Sequence, residues 1–269
     1  MLKTMYITNS PEVALIAENA GVDRIWIDLE IVNKEERQKG RNTVISAHSI
    51  EDVSKVKEVL TKSQLLVRVN PINENSKAEI DAVIKNGADV VMLPMYETVE
   101  EVRKFLEYVN GRAVTVLLLE TIGAEKCLDE VLKIPQVDEI HIGLNDLHIQ
   151  YKNKFMFELL SNGKVEEICR KIAKTSKPYG FGGIAQLNEG NLPAKYIIAE
   201  HHRLGSTRAI LSRSFTNYNI MLDRKNASEE FENSLREIKE YEKSLATKSA
   251  EFFEENHKIL SDIVNKIVG

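Results

Sequence analysis

Short runs rich in Val, Ile and Leu recur along the chain, separated by longer stretches whose apolar residues fall at helical spacing. The runs occupy residues 4–8, 24–30, 65–70, 90–96, 114–121, 139–146, 179–185 and 209–215. The inner ones lack a clean in–out alternation, as expected of parallel strands covered on both faces. The stretches between them predict amphipathic helices at 11–19, 49–61, 77–86, 99–109, 124–133, 156–175 and 194–204. Asn9 or Ser10 suits the cap of the first and Gly21 its end, while Gly87 and Gly111 stop those at 77–86 and 99–109. About eight strand-plus-helix units result, the number that closes a (β/α)₈ TIM barrel. An open α/β sheet has the same alternation, but eight strands without a second domain favour closure. The barrel domain is placed at residues 1–222.

A different pattern begins at residue 227. The segment 227–269 is nearly free of Gly and Pro and dense in charge. Its apolar positions Phe231, Leu235, Ile238 and Tyr241 keep a helical stripe that continues through Leu245, Phe252, Phe253, Ile259, Leu260, Ile263, Val264 and Ile267. This is more helix than closing a barrel requires. Such a stripe packs either on its own barrel or on a partner subunit, and a homo-oligomer is expected on that ground.

The composition changes this picture little. A net charge of −5 gives no reason to expect nucleic acid or an anionic membrane as partner. The longest apolar runs fall far short of the roughly 20 residues of a membrane span. The opening MLKTMYITNSPEVA does not read as a secretory signal. Cys127 and Cys169 lack the spacing or His neighbours of a zinc site or disulfide framework, so a cytoplasmic location is expected.

Candidate chemistry collects at the ends of the expected strands. The runs VTVLLLE and EIHIGLND end in Glu120 and Asp146. On adjacent parallel strands both would reach the C-terminal rim, where barrels of this kind do their chemistry. Two oxygen ligands there suit a hard cation, Mg²⁺ or Mn²⁺. Asp28 and Glu30 in IWIDLE share a strand face, as do Arg68 and Asn70 in LVRVNP, and Arg213 ends the last strand. Singly, each could be a structural ion pair. Together they describe a ring of carboxylates around an arginine able to clamp a substrate carboxylate.

The motifs IDLE, VRVNP, NGADVVMLPM, LLLET and VDEIHIGLNDL, in this order, resemble the HpcH/HpaI aldolase and citrate lyase beta-subunit family over roughly residues 5–146. The resemblance implies a metal-dependent barrel that makes or breaks a carbon–carbon bond beside a 2-oxo acid or an acyl-CoA thioester. It implies metal ligands at Glu120 and Asp146 and a substrate-carboxylate arginine at Arg68. It also implies an oxo-acid pocket lined by the backbone of Gly143, Leu144 and Asn145. The cation would act as Lewis acid on the 2-oxo group of pyruvate or oxaloacetate as enolate charge develops.

Three positions depart from the family pattern. Aldolase members place a histidine, and citrate lyases an acid, directly after the D-x-E pair; here the residue is Ile31. Lys34 and Arg41 are loosely like the citrate lyases. Leu118 replaces a common glutamine and Leu144 the proline of a G-P-x-D turn. The proton carrier must then be Glu30, His48 or His148, with His48 also suited to flanking a helix start and His141 to core packing. Further on, Gly182 and Gly183 allow a close backbone approach, and Arg208 and Arg213 with Ser212 and Ser214 could receive an anion, or the arginines could pair with Glu200.

The leading expectation is a metal-dependent lyase or aldolase acting on a 2-oxo acid and an aldehyde, with Arg68, Glu30 and Asp28 as catalytic residues. Substrate binding falls to Arg68, Gly143, Leu144, Asn145 and Arg213. The alternatives are a citrate-lyase-like short acyl-CoA lyase or thioesterase, and a non-catalytic barrel binding an oxo acid or sugar phosphate.

Overall fold

The computed structural model describes residues 1–31, 48–212, 215 and 227–269. Eight parallel strands close into a barrel in chain order: β1 (Lys3–Ile7), β2 (Arg24–Asp28), β3 (Gln64–Arg68), β4 (Val90–Leu93), β5 (Val114–Leu119), β6 (Glu139–Ile142), β7 (Tyr179–Ile184) and β8 (Arg208–Leu211), with β8 returning to pair with β1. Helices α1 (Pro11–Ala20), α2 (Ile50–Val59), α3 (Ser76–Lys85), α4 (Val99–Val109) and α5 (Ile122–Val131) cover the first half. The second half carries α6 (Leu144–Gln150), α7 (Glu158–Ser161), α8 (Lys164–Ile172) and α9 (Ala194–Arg203). The runs lack alternation because both strand faces are buried. Met5, Trp26, Leu66, Val90, Met92, Val116 and Leu118 fill the barrel interior, while a larger core lies between strands and helices.

A repeated local device sets the lower rim. Before β2, β4 and β6 an apolar residue is followed by an aspartate, as Val22–Asp23, Ala88–Asp89 and Val137–Asp138. Each aspartate accepts the N–H of a residue on the preceding strand: Thr4 (2.9 Å), Leu65 (2.8 Å) and Thr115 (2.8 Å). Strand starts are thereby stitched together where the ladder bonds run out.

Inside this rim lies a buried ion triad. Arg24 donates Nη1 and Nη2 to Glu139 at 2.7 and 2.8 Å, and Arg208 donates Nε and Nη2 to the same carboxylate at 3.1 and 3.2 Å. Burial alone would raise the Glu139 carboxyl. The hydrogen bonds and charges of Arg24 and Arg208 outweigh it and bring the pKa down to about 2. Arg208 therefore serves the floor, and the expectation that it receives an anion at the mouth is corrected: it begins β8 rather than ending it.

Two further expectations change. The single helix expected over 156–175 is α7 and α8, interrupted at Gly163, whose φ of 81° no helix continues through. The tail is two helices, α10 (Ala227–Leu245) and α11 (Ala250–Val268). Helix α10 lies on α1 and α9, and α11 on α9 and α7. Phe231, Leu235, Ile238, Leu245, Leu260 and Val264 are buried within this one chain. Phe231 meets Tyr6 and Phe215 edge-on at centroid distances of 5.1 and 5.2 Å. Among the described residues, no helix is long and apolar enough to cross a membrane.

Glu200 of α9 fastens α11. It is fully buried and bonds Arg203 at 2.8 Å and His257 of α11 at 3.0 Å, and Asn256 Nδ2 donates to the carbonyl of Tyr196 at 3.1 Å. Glu200→Ala is expected to lower the melting temperature by about 5 °C or more, since each kcal/mol moves a chain of this size about 2–4 °C. Limited proteolysis should show α11 released first.

Candidate active site

The upper rim is assembled from the ends of β2, β3 and β5 and the turn after β6. Glu120 directly follows β5 and is only 3% exposed. Two backbone features hold it there. Gly143 lies so close that a Cβ on it would come within 2.7 Å of the Glu120 Cβ and 2.8 Å of Oε2, so this position takes no side chain. Met95, in the turn after β4, adopts φ 52° and directs its N–H to Glu120 Oε1 at 3.1 Å. A left-handed Met is strained backbone, tolerated where the surroundings over-determine it. Thr121 Oγ1 donates to the Tyr96 carbonyl at 2.6 Å and closes the same turn onto β5.

Asp146 corrects one expectation. It does not end β6, which stops at Ile142, but stands in the first turn of α6 behind Gly143. It still faces Glu120 closely enough to act on it. Burial, then the Asp146 charge, push the Glu120 carboxyl well above the usual carboxylate range; Arg68 opposes them.

Two strands along the rim from Glu120, Arg68 ends β3. Nε and Nη2 each donate to Asp28 at 2.8 Å, and Nη1 lies 3.2 Å from Glu30 Oε2. Its guanidinium sits 5.0 Å from the centroid of the Trp26 ring, on the same inward face of β2 as Asp28. Asp28 and Glu30 are 1% and 2% exposed, which only their pairing makes tolerable. Burial would weaken the charge of Arg68, but Asp28 and then Glu30 raise its pKa well beyond the ordinary value.

Each remaining candidate among the described residues has a definite place. Asn70 Nδ2 donates to Glu79 at 2.7 Å and to the Leu29 carbonyl at 3.2 Å, and its Oδ1 accepts the Ile31 N–H at 2.9 Å, so it shapes the turn around Glu30. His48 Nδ1 accepts the Asp28 N–H at 2.9 Å, so a neutral His48 carries its proton on Nε2. His148 Nδ1 contacts the Leu144 carbonyl at 3.2 Å within α6. His141 is packed inside the barrel, its Nε2 bonded to the Gly182 carbonyl at 3.2 Å, and burial holds its pKa down to about 4. Leu144 is buried against Gly182, which takes φ 54° to make room. Ser212 donates its N–H to the Ile184 carbonyl at 2.8 Å. Arg213, Ser214, Lys34 and Arg41 lie outside the described residues.

Glu120 and Asp146 are oxygen donors of the kind a hard divalent cation takes. They are adjacent like charges, one almost wholly buried and displaced toward its protonated form, a condition that a cation relieves. Among the described residues, no three or more His, Cys, Asp or Glu side chains gather as a metal cage. Two carboxylates with water and substrate oxygens completing the shell is the habit of Mg²⁺.

The model of the HpcH/HpaI aldolase/citrate lyase family matches residues 4–189. The chain belongs to this family. The matched span contains Asp28, Glu30, Arg68, Glu120 and Asp146, whereas β8, α10 and α11 lie beyond it. Solved structures share the family's fold at low identity. An HpcH/HpaI aldolase from Desulfitobacterium hafniense DCB-2 superposes with a TM-score of 0.61 at 15% identity, covering 83% of this chain and 93% of that one. The citrate synthase SbnG gives 0.62 at 15%, covering 82% and 90%. A citrate lyase from Burkholderia xenovorans LB400 gives 0.59 at 12%, covering 87% and 77%. No curated protein matches the sequence.

Sequence reasoning missed two contributors here. Met95 carries no chemical signature, because its part is played by a backbone N–H in a left-handed turn. Trp26 carries no signal of a role in the sequence, and only the closed barrel brings Arg68 over its ring.

Proposed function

We propose that this HpcH/HpaI-family barrel is a Mg²⁺- or Mn²⁺-dependent carbon–carbon lyase that takes a 2-oxo acid, pyruvate or oxaloacetate, with an aldehyde as the other half. The observation that carries the reading is a largely buried arginine, Arg68, held by Asp28 at the end of β3, two strands along the rim from Glu120 and near enough for the two charges to interact. The cation, held by Glu120 and Asp146, would supply Lewis-acid polarisation of the 2-oxo group.

The protein's own groups do the rest. Asp28 locks the plane of Arg68 through two parallel bonds, leaving the outer guanidinium edge to the substrate carboxylate. The backbone of Gly143, Leu144 and Asn145 lines the other side. Glu30 accepts the proton from the methyl carbon; the electron pair of that C–H bond moves into the new carbon–carbon double bond as charge passes to the 2-oxo oxygen. Asp28 acts through Arg68 and is a positioning residue. The low exposure of these carboxylates keeps bulk water from competing.

Exchange of pyruvate methyl protons with D₂O, followed by NMR, tests the reading without knowledge of the aldehyde. Arg68→Ala is expected to slow exchange by more than about 100-fold and to weaken pyruvate binding, with Mn²⁺ affinity preserved, because its loss removes a charge-assisted bidentate contact. Wild-type exchange in the arginine-free variant would sink the assignment. Cleavage of a short acyl-CoA without any pyruvate exchange would assign the chain to citrate-lyase-like chemistry instead.

A further inference from the structure

The two oxygens of Glu120 meet different surroundings. Oε1 accepts the Met95 N–H at 3.1 Å, whereas among the described residues no group donates to Oε2. Oε2 lies instead over Gly143, so close that a Cβ there would stand 2.8 Å from it. A carboxylate only 3% exposed is costly with one oxygen lacking a donor, unless something else takes that oxygen.

The N–H on Oε1 is held in place at the expense of backbone strain. Met95 has φ 52°, a region a methionine seldom enters. The turn behind it is fixed from two sides. Thr121 Oγ1 donates to the Tyr96 carbonyl at 2.6 Å, and the N–H groups of Glu97 and Thr98 reach Glu101 Oε2 at 2.8 and 2.9 Å. Gly123 lets the chain pass, since a Cβ there would lie 2.8 Å from the Glu97 backbone. Two consecutive residues after β5, Glu120 and Thr121, are thus gripped by two consecutive residues of one turn, Met95 and Tyr96.

We propose that Met95 is a positioning residue for the cation: its N–H occupies Glu120 Oε1, leaves Oε2 as the one ligand oxygen of that carboxylate, and so makes the site prefer small octahedral cations to Ca²⁺. The inference rests on the cation reading above. Mg²⁺ is satisfied by one oxygen from each of one or two carboxylates, with water and substrate completing an octahedron. Ca²⁺ takes about six to eight oxygens and gains from a carboxylate that offers both of its own. Oε1 keeps a second lone pair, but the N–H draws on its charge and fixes the carboxylate plane, so Oε1 is the weaker donor and is not swung toward the ion.

The part belongs to the backbone, and two substitutions separate it from the side chain. Glycine enters the left-handed region freely, whereas a β-branched residue resists it. Electron paramagnetic resonance follows Mn²⁺ binding to the full chain, with Mg²⁺ and Ca²⁺ titrated as competitors. The wild type is expected to take Mg²⁺ at least about tenfold more tightly than Ca²⁺, and Met95→Gly, the variant that keeps the backbone, to match it. Met95→Val is expected to weaken Mn²⁺ by about tenfold or more and to lose most of the preference for Mg²⁺. The α-hydroxy analogue of methionine at position 95 replaces only the N–H by an ester oxygen. It should behave as Met95→Val does, and it carries the comparison if the valine variant does not fold. Equal loss in Met95→Gly and Met95→Val would assign the effect to the side chain and overturn the proposal, as would wild-type selectivity in the ester variant. A wild type that binds Mn²⁺ without preferring Mg²⁺ to Ca²⁺ overturns the selection and leaves the cation site standing; a wild type that binds no Mn²⁺ overturns both.

Discussion

Glu120→Gln is expected to weaken Mn²⁺ binding by more than about 100-fold, given that even groups outside the coordination shell are worth 10–100-fold in such sites. Electron paramagnetic resonance of free Mn²⁺ measures this without any turnover. The amide keeps the shape that Gly143 accommodates and can still accept the Met95 N–H, so the barrel is expected to stay intact. The metal-free variant should be at least as stable as the wild type. Burial and the Asp146 charge disfavour the ionised Glu120, and the neutral amide removes that repulsion. Asp146→Asn should reproduce the loss of metal. Unchanged Mn²⁺ affinity in both would remove the cation from this site.

Glu139→Gln is expected to do the opposite: leave the mouth alone and damage the fold. It strips the shared partner from Arg24 and Arg208, which are 2% and 8% exposed. Leaving buried charge uncompensated costs about 3–5 kcal/mol, enough to lower the melting temperature by about 10 °C. The deficit has a defined pH dependence. The carboxyl's folded pKa is depressed from 4.5 to about 2, so its contribution is fully present above about pH 4.5 and is lost as the pH falls toward 2. Urea melts of both proteins across that range should show the wild type and variant converging in acid. A gap that stays constant from pH 5 to pH 2.5 would mean that the triad does not carry the difference.

These two carboxylates show why chemistry and stability were unequally legible. Glu120 announces itself by ending an apolar run inside a run of family motifs. Glu139 begins the run EIHI and looks like an ordinary solvated strand start. Its partners are 115 and 69 residues away in sequence, and only closure of the sheet brings β2, β6 and β8 around one carboxylate. Arg208 was misplaced for the same reason: its residue type suits either end of a barrel, and the strand register decides which. Asp146 shows a smaller version of the problem. A strand reading carried it to the rim by extension, whereas the backbone turns at Gly143 and delivers it from a helix.

The sequence by itself determined the alternation of strands and helices, the barrel they close, the family, and the identity of the ionisable groups at the mouth. These follow from periodicity, turn residues and motif order, which are local properties of the chain. Only the tertiary structure decided which charge pairs with which. Arg68 is held by Asp28 and Glu30, Arg208 is spent on the floor, and Phe231, Leu235, Ile238, Leu245, Leu260 and Val264 of the C-terminal stripe are buried by helices packed against α1, α7 and α9 of the same chain. A side chain's type states what it can bond. Which bond it makes depends on distances set when eight strands close and the helices settle around them.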